Sequence, residues 1–268
     1  MEDAFRVLEQ TSRTFFVPIQ RLPDPLRLAV ASAYLCMRAI DEIEDHPRLQ
    51  PHVKGRLLAE VSLHLQGAAS EGTLESFSAT FGEHAAELPE VTTRLHEWAL
   101  LAPPTIQARV WDAIASMADR MGYWAEVGFD VRSEQDLDRY TYGVAGAVGI
   151  LLCDLWAWHD GTTTHRGDAI GFGRGLQAVN IARNRADDFA HGVDFYPRGW
   201  TDAQMRAYAR RHLTIADRYT AALPKGPIRE FCAIPLALAW ATVAALEQGR
   251  EKLTRGEVND VVAKALHS

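Results

Sequence analysis

The sequence predicts a single all-α domain, on three observations. Apolar residues recur at helical spacing between proline and glycine breaks along the whole 268-residue chain. No stretch alternates apolar and polar residues between hairpin turns, so nothing reads as a strand. Two helical stretches carry oxygen-bearing side chains four residues apart, Asp41 and Asp45 in one and Asn180, Asn184 and Asp188 in the other. That spacing puts each set on one helix face.

In chain order, residues 2–10 form a short helix, and 11–18 a less regular stretch carrying hydroxyls and a base. Leu22-Pro-Asp-Pro-Leu26 turns into a helix over 26–45, since proline is tolerated in a first helical turn. His46-Pro47 breaks it, and after Pro51 a helix runs to about 65. A break over 67–72 precedes short helices near 78–81 and over 90–100. Pro103-Pro104 opens a long helix through Met121 towards Gly128. Ser133 and Asp136 launch a helix over 134–158 with a variant of the capping box, whose third helical residue is ordinarily Glu or Gln. A loop at 162–165 leads to a helix over 167–189, ended by Gly192 and a turn at 196–199. Thr201 and Gln204 make a proper capping box for the next helix. Pro224 and Gly226-Pro227 separate it from an apolar helix over 229–247, and a last helix begins near Thr254, three residues before Glu257.

Hydrophobic residues make up 47% and charged residues 24%, the balance of a soluble globular protein. The net charge of −7 weighs against nucleic acid as a partner. Cys36, Cys153 and Cys232 sit in apolar contexts without metal-ligand spacing and read as buried free thiols in a reducing compartment. No basic leader with an apolar core opens the chain, and no uninterrupted apolar run reaches 18 residues. These features predict a cytoplasmic protein without a spanning segment. Dinucleotide, P-loop, zinc-protease and nucleophile-elbow motifs do not occur.

The stretch from Tyr34 to Asp45 ends a long apolar run, with Arg38 three residues before Asp41. Asp41 and Asp45 repel each other, and Glu42 and Glu44 add to the field. Full solvation relieves that repulsion, and so does a Mg²⁺ ion, which takes oxygen ligands and keeps several waters. A charged helix end is the simpler alternative. In the second stretch Asn180, Asn184 and Asp188 follow one face, with Arg183 and Asp187 beside them. The helix is otherwise apolar, with Ile170, Phe172, Leu176, Val179 and Ile181. Unpaired carboxylates in apolar surroundings are costly, so two such faces predict a cavity between them.

Together the blocks resemble the squalene and phytoene synthase family, the head-to-head branch of the trans-isoprenyl diphosphate synthases. Ser12-Arg-Thr-Phe15, Leu22-Pro23 and Tyr34 through Asp45 are similar to its N-terminal pattern, and the first acidic motif is closer to squalene synthases. Asp138-Arg-Tyr-Thr-Tyr-Gly-Val-Ala-Gly-Ala-Val-Gly149 and Gln177 through Pro197 resemble the later blocks. The resemblance implies an isoprenoid synthase fold, helices surrounding a central apolar cavity, and Mg²⁺ holding the leaving diphosphate. It makes Asp41 and Asp45 catalytic metal ligands, joined by Asn180, Asn184 and Asp188, with Asp187 adjoining the metals. Ser12, Arg13, Arg38 and Arg183 then bind diphosphate, although Arg183 holding Asp187 in an ion pair is the structural alternative. Tyr140 matches the tyrosine associated with cation formation and proton handling. Phe15, Trp124, Val144, Ala145, Gly149 and Gln177 are expected to line the pocket. For the small residues from Val144 to Gly149, tight helix packing is the competing expectation.

The implied reaction is head-to-head condensation of two farnesyl diphosphates to presqualene diphosphate or squalene, with NADPH needed only if it proceeds to squalene. Three departures keep other readings open. Asn184 stands where the family has an aspartate, Trp124 where it has what looks like a glycine, and Gly143 where squalene synthases have an aromatic residue. The alternatives are ionisation of one prenyl diphosphate, as in a phosphatase or terpene synthase, phytoene synthesis, or a non-catalytic binding protein of the same fold. Prenyl diphosphates are the expected partners, with transient membrane contact for release of a lipid product.

Overall fold

A computed structural model describes residues 2–12, 14–71 and 74–266. Among them all regular structure is helical, as the sequence predicts. The chain forms two compact units, Met1–Phe129 and Asp130–Ser268.

The first unit contains α1 (Glu2–Thr11), α2 (Phe16–Gln20), α3 (Leu26–Glu44), α4 (Pro51–Glu71), α5 (Ser78–Phe81), α6 (Glu90–Thr93), α7 (Leu95–Ala99) and α8 (Pro104–Glu126). Its centre is α3, where Leu26, Leu35, Cys36, Ala39, Ile40 and Ile43 are fully buried against α4, α6, α7 and α8. Buried polar groups need partners, and here they also fix neighbours. Thr92 Oγ1 donates to the Ala39 carbonyl at 2.9 Å, pinning α6 to α3. Trp98 Nε1 donates to the Val91 carbonyl and Trp111 Nε1 to the Ala99 carbonyl, each at 2.9 Å, tying α6, α7 and α8 into one body. The helices α4 and α8 approach at glycines, since a Cβ on Gly122 would lie 3.5 Å from the Gly55 carbonyl oxygen.

The second unit contains α9 (Glu134–Thr141), a π-helical turn (Tyr142–Gly146), α10 (Ala147–Asp160), α11 (Arg166–Ala190), α12 (Asp202–Ala222), α13 (Pro227–Glu247) and α14 (Arg255–Ala265). Here α11 is central, packing on α10, α12 and α13. Glycine sets its spacing: a Cβ on Gly149 would stand 2.1 Å from the Ala169 carbonyl oxygen, and one on Gly173 2.2 Å from that of Ala145. Gly149 therefore faces the α11 backbone, the tight helix packing that was the competing expectation for this stretch.

Boundaries differ from expectation in instructive ways. The helix opened at Pro51 continues past Gly67 to Glu71, since a helical glycine costs only about 1 kcal/mol. The stretch over 90–100 is two short helices broken at Arg94. The helix expected over 134–158 is interrupted by the π turn. Ser133 and Asp136 do complete a reciprocal cap, as do Thr201 with Gln204 and Thr254 with Glu257. The three cysteines are free and buried.

Two helical stretches, Glu134–Asp160 and Pro227–Glu247, are long and apolar enough to cross a membrane, with mean hydropathies of 1.3 and 1.4. The absence of an uninterrupted apolar run had argued against any such stretch. Half of each apolar window is buried inside the protein, which is also the behaviour of a core helix.

Glycine contacts of different kinds predict different costs. Gly149→Ala drives a methyl into backbone and should destabilise by about 1–3 kcal/mol, as overpacking does. Gly55→Ala meets only the side chain of Glu126, whose exposed carboxylate can swing away, and should cost less. Urea midpoints of both variants check this ordering, and equal midpoints would refute it.

Candidate active site

The last turn of α3 gathers Asp41, Glu42 and Glu44, with Asp45 as its C-cap. The helix macrodipole makes this end partially negative, so acidic side chains here are locally unfavourable. Arg38 answers them from one turn back, its Nη1 on Asp41 Oδ2 and its Nη2 on Glu42 Oε1. Lys54 adds a second positive charge by donating from Nζ to the Glu44 carbonyl at 2.6 Å, closing the helix end. His46 completes it: Nδ1 accepts the backbone N–H groups of Arg48 and Leu49 at 3.3 and 3.1 Å. Its other nitrogen then carries the proton and donates to the Glu87 carbonyl at 3.2 Å.

The compensation is incomplete. Asp41 keeps 31% of its side chain exposed, yet its carboxyl is pushed up to about 7, first by desolvation and then by the charge of Asp45. Glu44 is 2% exposed, and burial raises its pKa well above the usual range, with Asp41 and Asp45 adding to the rise. Its Oε1 is buried without a hydrogen-bond partner among the described residues. Nearby, Ser12 is buried, its hydroxyl accepting the Phe15 N–H at 2.9 Å and bonding to Tyr34. Phe15 packs on the Tyr34 ring at 5.6 Å. Arg13 lies outside the described residues. Trp124 is 6% exposed, edge-on to Tyr123 at 5.6 Å.

The second acidic stretch also lies in the last turns of its helix, and no basic residue occupies the last turn of α11. Asn180, Arg183 and Asp187 are exposed, Asn184 and Asp188 half-buried. Arg183 Nη2 donates to Asn180 Oδ1 at 2.7 Å and its Nε to Asn184 Oδ1 at 3.1 Å. The guanidinium thus holds the two amides, where an ion pair to Asp187 was the structural expectation. Gln177 is half-buried on the same helix.

The donor set suits a hard divalent cation. It is made of carboxylate and amide oxygens, crowded against the helix dipoles and, on α3, under-neutralised. No group of three or more His, Cys, Asp or Glu side chains converges among the described residues. Each helix end by itself presents fewer oxygens than a divalent cation takes. Asn180 and Asn184 each keep a second lone pair beyond the one Arg183 uses.

Tyr140 is 4% exposed on α9, two residues before the π turn begins at Tyr142; such turns recur at functional sites. Val144, within the turn, is buried and Ala145 half-buried. Sequence reasoning missed what holds this segment. Tyr208 OH donates to Asp138 Oδ1 at 2.7 Å and lies 3.2 Å from Thr141 Oγ1. Arg174 Nη2 donates to the Asp138 carbonyl at 2.9 Å, and His212 packs on Tyr208 at 4.5 Å between ring centres. On its other side Tyr140 stacks on Phe195 at 4.7 Å. Asp138 and Phe195 belong to stretches the family resemblance had marked, but their partners on α12 are not readable from spacing.

Burial and then the charge of Arg174 push the His212 pKa down to about 4, against the pull of Asp138. The unfolded chain therefore binds the proton more readily between about pH 6.5 and 4. Stability contributed by neutral His212 is complete above the upper value and is lost as pH falls towards the lower one. Chemical denaturation from pH 7 to 4 should show His212→Gln losing less stability over that interval than wild type; parallel curves would refute it.

A family model described as squalene/phytoene synthase matches residues 8–207. The squalene synthase of Schizosaccharomyces pombe is 29% identical over 98% of this chain and 64% of its own length. That of Rattus norvegicus is 29% identical over 91% of this chain and 63% of its own length. The chain thus spans less than two thirds of these curated relatives. Among solved structures, TcSQS in complex with the ligand BPH1237 has a TM-score of 0.80 at 24% identity, covering 99% of this chain and 86% of that one. A dehydrosqualene synthase in complex with ligand has a TM-score of 0.68 at 15% identity, covering 98% and 94%. Both likenesses concern the fold.

Proposed function

The chain belongs to the squalene/phytoene synthase family, and from that premise we propose that it is a prenyltransferase. It joins two prenyl diphosphates head to head with loss of diphosphate, farnesyl diphosphate being the preferred substrate and presqualene diphosphate or squalene the product. The observation that carries this reading is the crowding of acids at the C-terminal ends of α3 and α11, against both helix dipoles. Such an arrangement lowers stability, and local rules are broken in this way at functional sites.

Asp41 and Asp45 would hold Mg²⁺ from α3, and Asp188 with the amide oxygens of Asn180 and Asn184 from α11. Bound there, Mg²⁺ supplies positive charge that stabilises a departing diphosphate. Arg38 and Arg183 present guanidinium forks suited to phosphate oxygens. Each fork is held by its acidic or amide neighbours, and its remaining N–H donors would meet the phosphate oxygens. Tyr140, buried and stacked on an aromatic ring, holds a phenol in water-poor surroundings, where it can face a developing allylic cation and return a proton. Farnesyl diphosphate is favoured over a longer chain by the bulk of Trp124 where the family has a smaller residue. A nicotinamide enters only if the product is reduced to squalene.

A second reading, ionisation of a single prenyl diphosphate, is favoured by Asn184. This residue brings no charge, and its oxygen is shared with Arg183.

Incubation with farnesyl or geranylgeranyl diphosphate and Mg²⁺, with and without NADPH, followed by mass analysis of extracted products, decides between the two. Coupled 30-carbon product supports the first reading and prenyl alcohol or cyclic terpene the second. Asp41→Ala and Asp45→Ala should each lower diphosphate release at least about 100-fold, as loss of charge stabilisation at a reacting centre does, with helical circular dichroism unchanged. Full activity in both variants, or turnover in excess EDTA, would sink the assignment.

Asn184→Asp restores a charge at nearly constant volume, but Arg183 already contacts this position and would neutralise part of it. The Mg²⁺ concentration for half-maximal rate should therefore fall only modestly, about two- to tenfold. Adding Arg183→Gln should abolish turnover in both backgrounds if Arg183 binds diphosphate. Magnesium titrations with product identification test this, and identical metal dependence in wild type and Asn184→Asp would remove Asn184 from the metal site.

A further inference from the structure

Tyr140 has a wall partner that comes from neither acidic helix end. Phe195 lies in the non-helical segment between α11 and α12, and its ring stacks on Tyr140 with centroids 4.7 Å apart and planes 20° apart. That near-parallel, close geometry restricts rotation of the phenol about its Cβ–Cγ bond, a freedom that a buried tyrosine against aliphatic neighbours would partly keep.

A ring carried on a loop fixes nothing unless the loop is itself held. Here it is held on both sides of Phe195 by one residue. Arg185 Nη2 donates to Asp194 Oδ2 at 3.1 Å, and its guanidinium lies 3.7 Å over the Tyr196 ring. The other arm, Nη1, donates to Asp202 Oδ1 at 2.9 Å, at the start of α12. Asp194 in turn accepts the Tyr196 N–H on Oδ1 at 3.1 Å, closing a tight turn around the phenylalanine. The planar fork of arginine can make these contacts together, and a lysine cannot.

The Tyr140 side is equally fixed. Tyr208 and Arg174 bind Asp138, and Thr141 lies within reach of the same Tyr208 hydroxyl. The stacked pair therefore joins two anchored pieces of backbone within one unit.

We propose that Phe195 is a positioning residue that sets the ring plane of Tyr140, and that Arg185 holds Phe195 in place to do so. The catalytic consequence rests on the prenyltransferase reading; the ring contact does not. A phenol free to turn about Cβ–Cγ keeps its oxygen, which lies on that axis, in the wall and leaves substrate binding intact, but its ring face and its in-plane O–H no longer hold one orientation towards the reacting carbons. Loss of the stack therefore acts on kcat more than on KM.

The test uses the full chain with ring-¹³C tyrosine. Its seven tyrosines give few signals, and the Tyr140 signal is assigned by its loss in Tyr140→Phe. Phe195→Leu should move the Tyr140 resonance, because the ring current of the stacked phenyl is gone, and should lower kcat about tenfold with KM changed less than about twofold. Phe195→Tyr keeps an aromatic face and should restore both. Arg185→Lys leaves the phenylalanine in the chain but loosens its turn; it should broaden or shift the same resonance and lower kcat by a smaller factor. It also serves if Phe195→Leu fails to fold. An unmoved Tyr140 signal in folded Phe195→Leu overturns the proposal, and so does a moved signal with unchanged kcat, or a KM effect that Phe195→Tyr does not rescue. A wild type that turns over no prenyl diphosphate, yet shows the shift in Phe195→Leu, would instead overturn the prenyltransferase reading and leave the ring contact standing.

Discussion

Acidic side chains at the C-terminal ends of α3 and α11 oppose the partial negative charge that every helix carries at that end. Much else in each unit serves to keep those two ends in place despite the cost. On α3 the opposition is met by Arg38 and by Lys54, which reaches the terminal carbonyl from α4. It is also met by burial of the preceding three turns, whose leucine, isoleucine and alanine side chains are inaccessible. Burial of a helix face at roughly 25 cal/mol per Å² of apolar surface readily outweighs a few unfavourable dipole contacts of about 0.3–1 kcal/mol each. The acidic residues are therefore tolerated at this end, and burial followed by the charge of Asp45 raises the Asp41 pKa against the pull of Arg38.

The second unit handles the same problem with neutral donors. Asn180 and Asn184 take the places beside Arg183, so one guanidinium faces two amide oxygens and, among the described residues, pairs with no carboxylate. That arrangement leaves a positive charge beside the acids without cancelling them. An anion with several oxygens is the natural complement of such a guanidinium.

Glycine and the π turn place Tyr140 and its surroundings. Gly149 and Gly173 let α10 and the π turn approach the α11 backbone more closely than any side chain would permit. The extra residue of the π turn shifts the helical phase between Tyr140 and α10, so residues before and after it no longer share the face a regular helix would give them. A continuous helical reading of 134–158 consequently misassigns which small residues meet a neighbouring helix and which stand free.

The sequence by itself determined the all-α class, the starts of helices marked by Ser133, Thr201 and Thr254, the burial of the cysteines and the two stretches of oxygen-bearing side chains. Each of these follows from interactions between residues a few positions apart, where period and capping geometry are fixed by the backbone. Tertiary structure decided that Arg183 bonds two asparagines, that Gly149 meets Ala169, that Glu44 is buried with an oxygen unpaired among the described residues, and that Tyr140 stacks on Phe195 above an Asp138–Tyr208 anchor. The residues in the last of these contacts are 55 to 70 positions apart. No local period encodes such a pairing; it exists only once α9, α11 and α12 have packed and left one partner within reach.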